Sequence, residues 1–171
     1  MKKKISILGS TGSIGFSTLK IIEKDKLNFK IILLSANKNF SKICKQIVKY
    51  KPVYFIINDT IVFEKVKKKF KKNKVKILNS YNFVNKKVRS DITIAAIPGI
   101  AGLEPTISLI ESSKKILIAN KESVICGWSL INIKCKKFQT KIIPIDSEHF
   151  SIFELLKNHK INEIKKIFLT A

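Results

Sequence analysis

Short apolar runs alternate along the chain with longer stretches in which apolar residues recur every three or four positions. The runs are rich in Ile, Leu and Val and are apolar throughout, as in strands that are covered on both faces. They read KISIL, FKIILLS, VYFII, VKIL, ITIAA, KILIA and KIIPI. Helical spacing fills the gaps between them. The pattern predicts an α/β fold, with a doubly wound, mostly parallel sheet over residues 1–145.

The last segment, residues 146–171, differs from the rest of the chain. It ends in IFLTA, a strand-like run with nothing after it to pair with or cover it. A domain rarely finishes on an uncovered apolar strand. We therefore expect residues 146–171 to be the incomplete start of a second domain.

Charge is the most unusual feature of the composition. The 171 residues include 34 Lys+Arg and 12 Asp+Glu, a net charge of +22. Such an excess favours a nucleic-acid or membrane-surface partner. Here it is nearly all lysine, spread along the chain with abundant Ile and Asn, as an A+T-rich genome would encode. The densest run, residues 64–76, has apolar Val66 and Phe70 four apart and predicts a solvated helix face with a narrow buried stripe. We expect no specific nucleic-acid partner. Nucleic-acid binding is kept as an alternative function, which a sequence preference that persists at higher salt would support.

The cysteines and the apolar runs bear on the compartment. Cys44, Cys126 and Cys135 have no CxxC spacing and are odd in number, which predicts small buried side chains in a reducing cytoplasm. No apolar run is long enough to span a membrane, and MKKKISILG reaches glycine before a signal peptide could form. These features predict a soluble, unprocessed cytoplasmic protein.

The opening segment pairs a strand with a glycine-rich turn. KISIL ends at Gly9, and Gly12 and Gly15 follow at three-residue spacing. Residues 13–24 have helical spacing, with Ile14, Leu19, Ile21 and Ile22 predicted to pack on the sheet. A strand, glycines and a helix N-terminus together suit the pyrophosphate of a dinucleotide. The spacing G-x-x-G-x-x-G departs from G-x-G-x-x-G, and such turns also occur without a cofactor.

The residues after the second strand bear on the choice between NADP and NAD. Proteins that bind NAD usually place an acidic residue there, on the ribose 2′-hydroxyl. This chain has Asn37, Lys38 and Asn39, which would accept a 2′-phosphate. The sequence therefore favours NADPH, although Lys38 could also be one of many surface lysines.

Polar triplets follow two later strands. Asn120-Lys121-Glu122 comes after KILIA, and Asp146-Ser147-Glu148 after KIIPI. Both fall where open α/β sheets bind ligands, at the carboxyl ends of strands. A lysine there suits a phosphorylated or enolate-like substrate, or is simply solvated.

The second triplet has two interpretations of equal weight. In an extended segment Asp146 and Glu148 would project to one side and could share Mg²⁺ or Mn²⁺. Alternatively, Asp146 or Ser147 caps a following helix, with Glu148 in its first turn.

Four segments, ILGSTGSIGFSTL, AGLEPT, ANKES and DSEH, occur in order and at the spacing found in the 1-deoxy-D-xylulose 5-phosphate reductoisomerase family. The chain resembles that family over essentially its whole length. The resemblance implies an NADPH- and divalent-metal-dependent enzyme of isoprenoid biosynthesis by the non-mevalonate route. Its substrate would be 1-deoxy-D-xylulose 5-phosphate, rearranged and reduced to 2-C-methyl-D-erythritol 4-phosphate.

The resemblance also implies a role for each matching residue. NADPH would be bound by Thr11, Gly12, Ser13, Ile14, Asn37, Lys38, Asn39, Asn120 and Glu122. Lys121 and Ser147 would contact the substrate, and Asp146 and Glu148 would hold Mg²⁺ or Mn²⁺, with Co²⁺ as a further candidate. Lys121, Asp146 and Glu148 would form the catalytic set. Family members usually have glycine at the position of Asn37.

The resemblance implies further that other essential parts lie beyond Ala171. These are a third metal carboxylate, most phosphate-binding residues, a lid and a C-terminal helical domain. We therefore expect the 171-residue chain to bind NADPH without turnover, and the full-length protein to be a homodimer. The alternatives are an inactive NADP-binding remnant, or another NADP oxidoreductase, such as a semialdehyde dehydrogenase with Cys126 as nucleophile.

Overall fold

The structure, a computed structural model, describes residues 1–82 and 88–168. Strands and helices alternate along it, as the apolar runs predict. The strands are β1 (Lys3–Leu8), β2 (Phe29–Ala36), β3 (Tyr54–Ile57), β4 (Lys76–Leu78), β5 (Ser90–Ala95), β6 (Ser113–Ile118) and β7 (Lys141–Pro144). The α-helices are α1 (Ser13–Lys24), α2 (Phe40–Tyr50), α3 (Thr60–Lys69), α4 (Leu103–Ile110), α5 (Lys121–Phe138) and α6 (Ser147–Leu156). Short 3₁₀ turns lie at Ile100–Gly102 and Ile161–Glu163.

All seven strands form one sheet in the order β4-β3-β2-β1-β5-β6-β7, and every neighbouring pair is parallel. The chain winds outward from β1 to β4, then crosses to β5 and winds outward the other way. This confirms the doubly wound α/β prediction. The direction reverses between β1 and β5, and in such sheets ligands bind at this switch point, beyond the strands' carboxyl ends.

The core has one apolar layer on each face of the sheet. In β1, Ile7 packs into the layer with Leu19 of α1, while the next residue, Leu8, packs into the other layer with Leu109 of α4. Successive strand residues point to opposite faces, so both must be apolar when both faces are covered. This explains why the strands read as continuous apolar runs.

Helix α1 has the predicted bounds but a different buried face. Its buried residues are Gly15, Leu19 and Ile22, whereas Ile14 and Ile21 are 41% and 64% exposed. The packing prediction is therefore wrong for Ile14 and Ile21. Gly15 packs against the backbone of the glycine-rich loop, and Leu19 and Ile22 pack into the core, so positions 14 and 21 lie on the outer face of the helix.

The lysine-rich run 64–76 is only partly helical. Helix α3 ends at Lys69, Phe70 is its C-cap residue, and β4 starts at Lys76. Val66 is buried and Phe70 half-buried, as predicted.

The cysteine prediction holds at two of three positions. Cys44 and Cys135 are buried, but Cys126 is exposed because it faces away from the sheet on α5. All three are free thiols, and burial raises the pKa of Cys44 and of Cys135.

The C-terminal segment packs little against the rest of the protein. Helix α6 has no buried residue. Ile167 and Phe168, the start of the predicted strand-like run, have no regular structure, and residues 169–171 lie outside the described part. None of the helices within residues 1–82 and 88–168 has the length and apolar character needed to cross a membrane.

Candidate functional site

A pocket of about 330 Å³ lies at the sheet's switch point, beyond the carboxyl ends of the strands. Four separate parts of the sequence meet there: the glycine-rich loop, the loop after β5, the start of α5 and the start of α6. The pocket is lined by Gly12, Ser13, Ile14, Ala96, Ile97, Pro98, Ala119, Asn120, Lys121, Glu122, Asp146 and Glu148. The exposed Ile14 lines this pocket. Two clefts of about 400 and 500 Å³ lie at the opposite end of the sheet, near the amino ends of its strands. They contain none of the predicted site residues.

The remaining predicted residues lie outside the pocket lining. Thr11 precedes Gly12 in the loop, and Ser147 precedes Glu148, to whose Oε2 its hydroxyl donates at 2.9 Å. Asn37, Lys38 and Asn39 form an exposed segment between β2 and α2.

Each glycine of the loop has a different environment. Gly9 has φ +78°, and a Cβ there would lie 2.6 Å from the Ala96 carbonyl oxygen. A Cβ on Gly15 would collide with the backbone of Gly9 and Ser10. Gly12 has open space around it, with only the Gly9 carbonyl at 3.4 Å. Gly9 and Gly15 therefore permit close packing of the backbone, whereas Gly12 leaves room for a ligand.

The same loop begins helix α1. Gly12 is its N-cap residue, no side chain caps the helix, and its first turn has no acidic residue. Uncapped N–H groups and the positive end of the helix dipole attract anions. The open Gly12 and the uncapped helix together fit a pyrophosphate.

A buried polar network holds the loop in place from below. Gln46 of α2 donates from Nε2 to the Ser10 carbonyl at 2.8 Å, and its Oε1 accepts from the Ser10 hydroxyl at 2.7 Å. The Ser10 N–H donates to the Ser35 carbonyl of β2 at 2.8 Å. We had not predicted Gln46, although a lone amide within the apolar face of α2 is a readable signal.

Asn120 connects two segments of the pocket wall. It is the N-cap residue of α5, with Oδ1 accepting from the Ser123 N–H at 2.9 Å. Its Nδ2 donates to the Gly99 carbonyl at 2.7 Å and to the Ile97 carbonyl. The side chain is 3% exposed and its polar atoms are engaged within the protein. Asn120 thereby fixes the loop after β5 against the helix that carries Lys121 and Glu122.

The second acidic triplet does not form an extended segment. Asp146 is the N-cap residue of α6, and Ser147 and Glu148 already lie in its first turn. The prediction that Asp146 and Glu148 project to one side of an extended segment is therefore wrong. The residue that caps the helix is Asp146 rather than Ser147. A cap leaves carboxylate oxygens available, and both Asp146 and Glu148 still face the pocket.

Hydrogen bonds keep both carboxylates ionised. Burial alone would raise the pKa of Asp146, but the His149 backbone N–H at 3.0 Å and its Nδ1 at 2.5 Å lower it below its ordinary value. The pKa of Glu148 is lowered by its own backbone N–H and the Ser147 hydroxyl, with a contribution from the Lys121 charge. Ionised carboxylate oxygens are the ligands that Mg²⁺ and Mn²⁺ prefer.

The described residues do not complete a metal site. Within residues 1–82 and 88–168, no three His, Cys, Asp or Glu side chains are grouped so that they could hold a metal ion. Cys126 lies outside the pocket lining, so the geometry gives no support to a cysteine nucleophile at this site.

The parallel sheet, the glycine-rich loop at its switch point and the pocket beside it define a Rossmann-like protein of the dinucleotide-binding class. Comparison of the sequence with models of protein families identifies the family within this class. The family model described as 1-deoxy-D-xylulose 5-phosphate reductoisomerase matches residues 5–127, and that of its C-terminal domain matches residues 142–171. The chain belongs to the 1-deoxy-D-xylulose 5-phosphate reductoisomerase family.

Individual relatives agree with this assignment. The chain is 48% identical over 173 aligned residues to the reductoisomerase of Pelagibacter ubique, and 40% identical over 174 to that of Clostridium novyi. Each alignment covers 99% of this chain and 45% of the relative. The chain thus spans less than half the length of the curated relatives it matches.

Solved structures show the same fold. The reductoisomerase of Zymomonas mobilis in complex with NADPH matches with a TM-score of 0.84 and 30% identity, over 93% of this chain and 42% of that one. A DOX-P reductoisomerase structure with fosmidomycin and magnesium matches with a TM-score of 0.85 and 30% identity, over 96% and 44%.

The glycine environments predict that alanine at position 15 lowers stability more than alanine at position 12. Gly15→Ala forces a Cβ into the loop backbone and should lower the melting temperature by several degrees. Gly12→Ala is the matched control, because its Cβ meets only one atom at van der Waals distance. Thermal unfolding followed by circular dichroism measures both. Equal melting temperatures for the two variants would contradict the packing role of Gly15.

The buried network predicts that Gln46→Met destabilises the protein by about 1–3 kcal/mol, since it leaves the buried Ser10 carbonyl without its partner. Lys45→Met is the control, because Lys45 is exposed on the same helix and receives the same new side chain. Denaturant unfolding gives both free energies. A Gln46→Met protein as stable as the Lys45→Met protein would show that the network does not hold the loop.

Proposed function

We propose that this chain is the NADPH-binding part of an enzyme that converts 1-deoxy-D-xylulose 5-phosphate to 2-C-methyl-D-erythritol 4-phosphate in isoprenoid biosynthesis. The observation that carries the proposal is the pocket itself. It joins the glycine-rich loop, the ANKES segment and the DSEH segment, which are far apart in sequence and each typical of the family.

NADPH is the proposed cofactor. Gly12 leaves room for the pyrophosphate above the uncapped start of α1, and no acidic residue follows β2 to repel a 2′-phosphate. The Zymomonas mobilis relative, which shares the fold, was solved with NADPH. We assign the cofactor to Thr11, Gly12, Ser13, Ile14, Asn37, Lys38, Asn39, Asn120 and Glu122. Bound NADPH would supply the hydride for reduction.

A divalent cation is the second proposed cofactor. Asp146 and Glu148 would hold it, because both are ionised and both face the pocket. Related structures contain magnesium. The cation would polarise carbonyl and hydroxyl oxygens of the substrate during the rearrangement. Mn²⁺ and Co²⁺ are acceptable alternatives for such oxygen ligands.

Lys121 and Ser147 are assigned to the substrate. The Lys121 ammonium lies in the pocket wall and interacts with the charge of Glu148. It would attract the negatively charged sugar phosphate and stabilise negative charge on its reacting oxygens. The Ser147 hydroxyl lies next to Glu148 and can bind a phosphate oxygen when it is free of that carboxylate.

We place the domain boundary at residue 146, so that residues 1–145 bind the nucleotide and residues 146–171 begin the catalytic domain. Two observations support this boundary. Helix α6 has no buried residue against the first domain, and the C-terminal family model matches residues 142–171. We propose that the full-length protein acts as a cytoplasmic homodimer, and that the 171-residue chain alone binds NADPH without turnover.

A hybrid enzyme tests the function. Residues 1–171 would replace the aligned part of the Pelagibacter ubique reductoisomerase, which then supplies the remainder. We expect this hybrid to oxidise NADPH in the presence of 1-deoxy-D-xylulose 5-phosphate and Mg²⁺, while the 171-residue chain alone does not. Asp146→Asn in the hybrid should lower turnover by about a hundredfold or more.

Two controls accompany the hybrid. Glu154→Gln alters an exposed carboxylate on α6 outside the pocket lining and should keep full turnover. The unaltered relative, carried through the same purification, verifies the assay. A folded hybrid without turnover, or an Asp146→Asn hybrid with undiminished turnover, would contradict the assignment.

A further inference from the structure

Helix α2 presents two polar side chains to the glycine-rich loop. Gln46 is buried against Ser10, and Lys42, one helical turn earlier, donates from Nζ to the Thr11 carbonyl at 3.3 Å. Residues four apart lie on one face of a helix. The Gln46 contacts therefore fix the part of α2 from which Lys42 reaches the loop, while the ammonium itself stays exposed.

The surroundings of Lys42 contain no compensating negative charge. Within the described parts of the chain, no carboxylate lies within ion-pair distance of Lys42 or of Lys38. The first turn of α2 has no acidic residue, and none occurs in residues 35–42. The Lys42 ammonium thus lies beside the loop that starts the uncapped helix α1, without a nearby carboxylate, which suits a phosphate group.

In sheets of this type, the ribose 2′ position of a bound dinucleotide lies at the carboxyl end of the second strand. Here β2 ends at Ala36, and Lys42 lies in the first turn of the next helix, α2, from which its Nζ reaches the glycine-rich loop. We propose that Lys42 is a specificity-determining residue that binds the 2′-phosphate of NADPH. This inference rests on the proposed NADPH binding, and it adds a residue to the cofactor set given above.

The contact that Lys42 now makes is compatible with this role. A single hydrogen bond of 3.3 Å from an exposed ammonium to a carbonyl is weak. A doubly charged phosphate is a stronger acceptor and would replace it at little cost. Lys42 would then contribute to the affinity for NADPH but not to that for NADH, which has a hydroxyl at this position.

The test is a pair of nucleotide titrations, with NADPH and with NADH, followed by nicotinamide fluorescence on the purified chain. Lys42→Met should weaken NADPH binding by about tenfold and leave NADH binding unchanged. Lys45→Met is the matched control, since Lys45 is exposed on the same helix and, within the described residues, makes no hydrogen bond to the loop. It should change neither affinity, and Lys42→Arg should retain most of the preference for NADPH.

The outcomes separate this inference from the function on which it rests. Suppose that the unaltered chain prefers NADPH, but Lys42→Met weakens the binding of both nucleotides equally or of neither. Lys42 then does not recognise the 2′-phosphate, and the proposed cofactor stands. If Lys45→Met has the same effect as Lys42→Met, general surface charge explains the preference. If the unaltered chain binds neither nucleotide, both the cofactor proposal and this inference are wrong.

Discussion

The close approach of the glycine-rich loop to its neighbours is the constraint on which the rest of the site depends. Gly9 lies against the Ala96 carbonyl and Gly15 lies against the loop's own backbone, at distances that leave no space for a Cβ. Because these two positions carry no side chain, α1 can start directly above the switch point of the sheet. Gly12 is then the position with free space beside it, and the pocket opens there.

The loop is held in this position by polar contacts as well as by packing. The buried Gln46 satisfies the Ser10 backbone and hydroxyl, so the loop loses little by leaving water. Asn120 plays a comparable part on the other side of the pocket, where it joins the loop after β5 to the start of α5. Gln46 lies outside the pocket lining, whereas Asn120 is part of it. Both amides position the residues that face a ligand.

Much of this arrangement was readable from the sequence. The apolar runs predicted the strands, because helices cover both faces of the sheet, and the helical spacing of apolar residues predicted the bounds of α1. The prediction failed where spacing cannot show orientation. Ile14 and Ile21 have the spacing of core residues, yet the helix packs through Gly15 and leaves them exposed. Cys126 is exposed for a similar reason, since α5 turns that position away from the sheet.

The acidic triplet shows a different limit. Asp146 and Glu148 both line the pocket, but the helix starts earlier than an extended segment would allow. A capping residue and a metal ligand have the same sequence signature, and one carboxylate can serve both purposes. The roles of Gln46 and Lys42 depend on contacts between α2 and a loop far from it in sequence. Local patterns do not record such contacts, although an amide within an apolar helix face marks Gln46 for attention.

NADPH binding at the switch point, with the phosphates on the glycine-rich loop, is tested most directly by an NADPH titration followed by backbone NMR, for which a chain of 19.5 kDa is suitable. We expect the amide resonances of Gly12, Ser13 and Ile14 to shift, together with those of Lys121 and Glu122 across the pocket. If only the amide resonances of residues lining the clefts near the amino ends of the strands shift, while these amides stay unchanged, NADPH does not bind at the switch point.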